Sequence, residues 1–240
     1  MLWISDLIYR IRDNTRMLFL VTILSAVAFT AITAVYALSS VVKDESLKDN
    51  PFALTYTSYS SNEKEKEHIK FIDTMLADHG FKYERYKSEV IKQVSQEQTI
   101  HIIKESDYNR RALALGLKTV ALEEEQALLV PVYVRFDPKR DKTLNQENIA
   151  LDEGAINLEV VGVAPQVIFY SGLFRNLVVV NDGTYDQITS IQEKYHSYSY
   201  TIPDWLNTLE VTEKLREELG VGEQGKYFWS TRIEGYVLEN

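Results

Sequence analysis

The chain has 240 residues, 45% of them hydrophobic and 25% charged, a composition that excludes a disordered or fibrous protein. Its net charge of −9 is unevenly divided, because residues 1–42 carry +1 and the remainder carries −10. An acidic domain repels a phosphate backbone, so nucleic acid is not an expected partner. The sequence contains no cysteine, which excludes disulfides, cysteine-based zinc sites and thiol catalysis.

The N-terminal segment combines an apolar stripe with basic charge. Ile4, Leu7, Ile8 and Ile11 follow the i, i+3, i+4, i+7 spacing of an amphipathic helix. We therefore predict a cytoplasmic or interfacial helix over residues 1–16. Basic side chains favour the cytoplasmic side of a membrane, and three of them predict the orientation of this segment: Arg10, Arg12 and Arg16.

Residues 17–42 contain no charged side chain, and 13 of these 26 residues are Leu, Ile, Val or Phe. A hydrocarbon core of ~30 Å requires about 20 helical residues, so this run predicts a transmembrane helix. The alternative is a cleaved signal peptide, whose apolar core would be only about 7–15 residues long. Small side chains at every fourth position predict a face that packs on another helix: Thr22, Ala26, Thr30 and Ala34.

Residues 43–240 alternate between strand and helix patterns, which predicts one mixed α+β domain outside the membrane. In chain order, we predict strands at 52–60, 81–94, 99–104, 127–136, 156–170, 177–180, 197–202 and 227–238, with a loop at 137–152.

Helices are predicted between several of these strands. Asn62 and Glu65 have the spacing of a capping box, and Ser106 is placed to cap a second helix. A short helix follows 181–183, and Val211 marks the start of the last apolar stripe. Glycines are predicted to end three of the helices: Gly80, Gly116 and Gly220.

Two segments of this domain share one pattern, an apolar strand followed by polar residues and a tyrosine that opens a helix. They are IIKESDYNR at 102–110 and VVVNDGTYDQ at 178–187. This similarity predicts two related α/β lobes, with chance similarity between two ordinary strand–helix units as the alternative.

No motif in the sequence predicts catalysis, a metal site or a cofactor. The four histidines are scattered without metal-ligand spacing. The glycine pattern at 220–225 follows a predicted helix and precedes a strand, which is the reverse of the order in a dinucleotide site. An enzyme whose residues assemble from distant positions remains an alternative.

A tyrosine-rich tract at 195–200 is the one candidate for ligand binding. Tyr198 and Tyr200 would share a face of a strand, and tyrosines offer apolar area together with a hydroxyl. The alternative is that this face packs on the core.

Residues 14–38 (NTRMLFLVTILSAVAFTAITAVYAL) resemble the membrane segment that precedes the large extracellular domain of FtsX-like ABC transporter permeases, and most closely the bacitracin-resistance (Bce-type) subgroup. Residues 102–117 (IIKESDYNRRALALGL) are similar to the strand and helix start repeated in such domains.

The resemblance implies a permease of ten spans with its large outer domain between the seventh and eighth. It also implies a separate cytoplasmic ATPase subunit, a sensor histidine kinase partner, and resistance to peptide antibiotics that attack lipid-linked cell-wall precursors. The present chain would then be a fragment of such a protein, located in the cell membrane with 43–240 extracellular. The alternatives are a related permease with another cargo, in lipoprotein release or cell-wall hydrolase activation, and a single-pass anchored surface protein.

Overall fold

The computed structural model describes residues 2–95, 98–132, 146–220 and 226–234. The chain divides into two compact units, the first ending at Asp44 and the second beginning at Glu45.

The first unit is formed by helix α1 (Leu2–Asp49), whose last turns belong to the second unit. The predicted interfacial helix and the predicted span are parts of this one helix, without a break at residue 16. Its segment Asn14–Val41 is long and apolar enough to cross a membrane, and no residue of its most apolar stretch is buried. The side chains of Arg10 and Arg12 lie outside the described part of the structure, and Arg16 is exposed.

The predicted stripe of small residues lies along the exposed surface of α1. Thr22 Oγ1 donates to the carbonyl of Leu18 at 2.8 Å, and Thr30 Oγ1 donates to the carbonyl of Ala26 at 2.7 Å. Each hydroxyl is therefore satisfied within its own helix, as an apolar environment requires. Packing of this stripe on another helix stays a prediction.

The second unit contains a nine-stranded sheet within the described residues, in the order β5-β6-β4-β7-β3-β2-β8-β1-β9. Neighbouring strands are antiparallel except for the β3–β7 and β4–β6 pairs, which are parallel. The strands are β1 (Leu54–Tyr59), β2 (Glu84–Ser95), β3 (Gln98–Lys104), β4 (Gln126–Val130), β5 (Asn148–Leu151), β6 (Ile156–Val163), β7 (Leu177–Val180), β8 (Glu193–Thr201) and β9 (Tyr227–Thr231).

Each predicted strand corresponds to an observed one, and β5 is the strand that the sequence analysis missed. The predicted loop at 137–152 is wrong at its C-terminal end, where β5 pairs antiparallel with β6. Only four residues long, β5 lacks a visible alternation, although Ile149 and Leu151 are buried. Residues 137–145 and 235–238 lie outside the described residues.

The helices of this unit are α2 (Glu65–Asp78), α3 (Glu105–Ala114), α4 (Asp182–Gln187) and α5 (Leu209–Leu219). Gly220 ends α5 with φ 67°, a left-handed conformation that glycine adopts without strain.

The predicted caps of α2 and α3 are wrong. The N-cap residue of α2 is Lys64, and Glu65 turns its carboxylate towards β8. The N-cap of α3 is Lys104, and the backbone amide of Ser106 is instead bound by the carboxylate of Asp182 at 3.0 Å.

Helices cover both faces of the sheet. On the first face, α2 and α5 pack over β1 and β8 around Tyr56, and α4 packs over β7 and β3 around Tyr185. On the second face, α3 and the segment 164–174 enclose a separate apolar cluster around Tyr108.

The expectation of two related lobes is not met, because residues 45–239 form one compact unit around one sheet. The two similar segments, β3–α3 and β7–α4, lie side by side, with Ile102 paired to Val178 in parallel register. Their helices then diverge, since Tyr108 packs on the second face and Tyr185 on the first.

Candidate functional site

The two tyrosines singled out in the sequence lie in the core. Tyr200 is 0% exposed and Tyr198 is 8% exposed, both within the cluster beneath α2 and α5. Tyr198 Oη donates to the Glu65 carboxylate at 2.6 Å, so its hydroxyl is already hydrogen-bonded inside the protein. Their ligand-binding role stays a prediction, and this placement does not favour it.

A cavity on the second face of the sheet is the better candidate. Its volume is about 340 Å³, within the range typical of ligand sites. Aromatic rings from β1, β3, β8 and β9 line it together with the 164–174 segment. We call it the aromatic pocket, and its lining residues are Thr57, Tyr59, His101, Leu173, Phe174, Tyr195, Tyr227 and Phe228.

Strand register and ring packing build this pocket. Tyr59 pairs directly with Tyr195 across β1 and β8, and their rings lie 4.9 Å apart. The ring of Phe174 meets that of Tyr195 edge-on at 5.6 Å. Phe174 and His101 are buried, whereas Phe228 is 38% exposed. The pocket therefore has a buried floor and an accessible rim.

His101 supplies a polar atom to this aromatic surface. Its Nδ1 lies 2.6 Å from the carbonyl oxygen of Arg175, which can only accept, so Nδ1 carries the proton. Burial lowers the pKa of His101, and the ring stays neutral at pH 7. Nε2 is then a hydrogen-bond acceptor, which suits a ligand that offers an N–H or O–H group.

Tyr195 is the pocket residue that sequence reasoning came closest to finding. It belongs to the tyrosine-rich tract at 195–200, but it lies on the opposite face of β8 from Tyr198 and Tyr200. Its phenol donates to Glu193, and burial raises its pKa, so the hydroxyl stays protonated. The alternation of side chains along β8 shows which residues share a face, but it does not determine which face is accessible.

A second polar feature, the ionic cluster, lies on the first face between the two apolar clusters. His196 Nδ1 is 2.8 Å from the Glu65 carboxylate, and its Nε2 is 3.7 Å from Glu89. Burial would raise the pKa of Glu89, but hydrogen bonds from Lys194 at 3.2 Å and Tyr185 at 3.1 Å outweigh it and lower that pKa. The cluster joins α2, β2, β8 and α4, and we assign it a structural role.

Arg111 of α3 is a completely buried cation on the second face. Its guanidinium donates to Ser88 Oγ at 2.8 Å and Ser199 Oγ at 2.7 Å, and it stacks 4.1 Å from the ring centroid of Phe169. Burial lowers its pKa to about 9, so it stays protonated at neutral pH. These contacts fix α3 to β2 and β8.

Across the described ranges, no group of three or more His, Cys, Asp or Glu side chains is arranged to hold a metal ion. The aromatic pocket is lined by a neutral histidine and phenols, and its described lining residues include no carboxylate.

No protein-family model matches the sequence. The ABC transporter permease protein YxdM of Bacillus subtilis (strain 168) is 35% identical over 227 residues, which cover 91% of this chain and 34% of that protein. This chain is homologous to a segment of ABC transporter permeases. A second B. subtilis relative, the uncharacterized ABC transporter permease YvcS, is 22% identical over 98% of this chain and 38% of its own length.

The chain thus spans about a third of the length of these permeases. Homology and the candidate span together indicate a membrane protein. Among solved structures, the periplasmic region of MacB from Actinobacillus actinomycetemcomitans is similar over 81% of this chain and 96% of its own, with 13% identity and a TM-score of 0.30.

Proposed function

We propose that this chain is the part of an FtsX-like permease, of the Bce-type subgroup, that contains one membrane span and the extracellular domain behind it. The domain, residues 43–240, binds peptide antibiotics, alone or with their lipid-linked cell-wall targets. The observation that carries the proposal is the 35% identity to an ABC transporter permease over nearly the whole chain.

The aromatic pocket supports a peptide ligand. Aromatic walls accept apolar and aromatic side chains through area and edge-on contacts, and His101 offers an acceptor to a peptide N–H. The charge of residues 43–240 is −10, which attracts a cationic peptide and raises its association rate.

Transport would require components outside this chain. The proposal assigns ATP hydrolysis to a separate cytoplasmic ATPase, and it assigns the passage through the membrane to further permease helices that pack on α1. A sensor histidine kinase would report ligand occupancy. In this scheme the present chain performs no catalysis.

Growth of the source organism in the presence of antibiotics tests this function. Replacing the native gene by a Phe228→Ala version should increase sensitivity to a cationic peptide antibiotic several-fold, because the pocket rim loses its exposed ring. A Val161→Ala version changes a similarly exposed apolar residue away from the pocket and should match wild type. If complete deletion of the gene leaves sensitivity to every peptide antibiotic unchanged, the proposal is wrong.

A further inference from the structure

Two adjoining cavities of the second unit form one continuous groove. Their volumes are about 740 and 410 Å³, and they share Ala114, Thr201 and Pro203. The smaller cavity is also lined by Leu47 and Pro51, which are among the first residues of this unit. We call the two cavities together the entry groove.

The entry groove is basic in a strongly acidic domain. Lys82, Arg110 and Arg232 line it, and Glu84 is the one acidic residue among its described lining residues. Arg110 is ion-paired with Asp107, so the excess of positive charge comes from Lys82 and Arg232. Arg232 Nε donates to the backbone carbonyl of Asn50 at 2.8 Å, which fixes one positive charge beside the chain entry. Because residues 43–240 carry −10 overall, this local excess of cations marks the groove as a place for an anionic group.

Exposed leucines accompany these basic residues. Leu113 lies in the wall of the groove with 67% of its surface exposed, and Leu206, 43% exposed, directly follows the groove residue Trp205. A single exposed leucine is ordinary, but leucines beside basic side chains are typical of surfaces that rest on a lipid headgroup layer.

The segment that connects the candidate span to this groove is short. Leu47 follows Val41, the last residue of the candidate span, by six positions. Six residues cover at most ~20 Å even when fully extended. A bilayer that contains the span therefore lies close to the groove residue Leu47.

We propose that the entry groove docks on the phospholipid surface of the membrane that holds α1. Lys82 contacts lipid phosphates, and Leu113 and Leu206 enter the interfacial layer. The aromatic pocket is lined by a separate set of residues and does not take part in this contact.

Lipid quenching of a fluorophore tests the docking. The sequence has no cysteine, so Leu113→Cys in the full chain accepts a single environment-sensitive probe. Val94→Cys is the matched control, because Val94 is exposed and lies ten residues beyond Glu84 along β2, about 33 Å away. Both proteins are reconstituted into phosphatidylcholine vesicles with or without phosphatidylglycerol, and quenched by lipid spin-labelled near its headgroup.

We expect the probe at position 113 to be quenched several-fold more than the probe at 94, and more strongly with phosphatidylglycerol. Lys82→Glu should reduce quenching at 113, whereas Lys70→Glu, the same charge change on exposed α2, should not. Equal quenching at 113 and 94 would overturn the proposal. A probe at position 113 that is shielded from both water and lipid would also overturn the proposal, because it would indicate a protein partner. Quenching at position 113 that changes neither with phosphatidylglycerol nor with Lys82→Glu would overturn it as well.

Discussion

Arg111 shows how much a single buried residue organises in this domain. Its guanidinium has Ser88, Ser199 and the ring of Phe169 as partners, and the nearby carboxylate of Asp107 is in contact with Arg110. A buried cation held mainly by hydroxyls, carbonyls and a ring depends on every one of those partners.

Arg111→Ala should therefore destabilise the fold strongly. Lost charge-assisted hydrogen bonds and the cavity left under α3 together cost about 3 kcal/mol or more of unfolding free energy. Denaturant unfolding of the full chain in detergent, followed by near-ultraviolet circular dichroism, measures this. Arg110→Ala is the matched control, since that side chain is 57% exposed and should change stability by less than about 1 kcal/mol. Equal effects of the two substitutions would contradict this role.

The lowered pKa of His101 predicts that the stability of the fold depends on pH. Its folded-state pKa is lowered by burial from the ordinary value of about 6.5, so the unfolded chain binds its proton first as the pH falls. The stability contributed by the neutral ring is complete above about pH 6.5 and is lost as the pH falls towards the folded-state pKa. His101→Gln should flatten the fall in melting temperature between about pH 7 and pH 5. An unaltered slope in the His101 variant would refute this.

At the scale of elements, the sequence predicted what local patterns determine. The apolar stripe that starts at Val211, together with the terminal Gly220, identified α5. Pairing across the sheet is not local, so β5 and the side-by-side arrangement of β3 and β7 were not predicted. The caps failed for the same reason, because Glu65 and Ser106 bind partners more than 70 residues away.

Asp152 anchors the end of β5 to the segment before β8. Its carboxylate accepts from the amides of Thr189 at 2.8 Å and Ser190 at 2.9 Å, which outweigh burial and lower its pKa. Asp152→Ala should cost about 1–3 kcal/mol and raise amide hydrogen exchange at Thr189 and Ser190. Asp186→Ala removes a largely exposed carboxylate and serves as the control. Unchanged protection at 189 and 190 would show that the anchor contributes little.

At the scale of the whole molecule, the fold class predicted from the sequence is confirmed: one apolar helix is followed by a mixed α/β domain. The sequence did not locate the pocket, because the tract 195–200 presents aromatics on one face and an accessible cavity on the other. Accessibility depends on which helices cover each face. The aromatic pocket needs Phe174 and Phe228, which lie 21 residues before and 33 residues after Tyr195 in sequence.

Direct titration tests whether the aromatic pocket binds a cationic peptide antibiotic. The full chain in lipid nanodiscs is titrated with such a peptide by calorimetry, alongside Phe228→Ala and the control Val161→Ala. We predict saturable binding by wild type and by Val161→Ala, with affinity weakened about tenfold or more in Phe228→Ala. Binding that is equally strong in all three proteins would place the ligand elsewhere, and binding by none of them would contradict the claim.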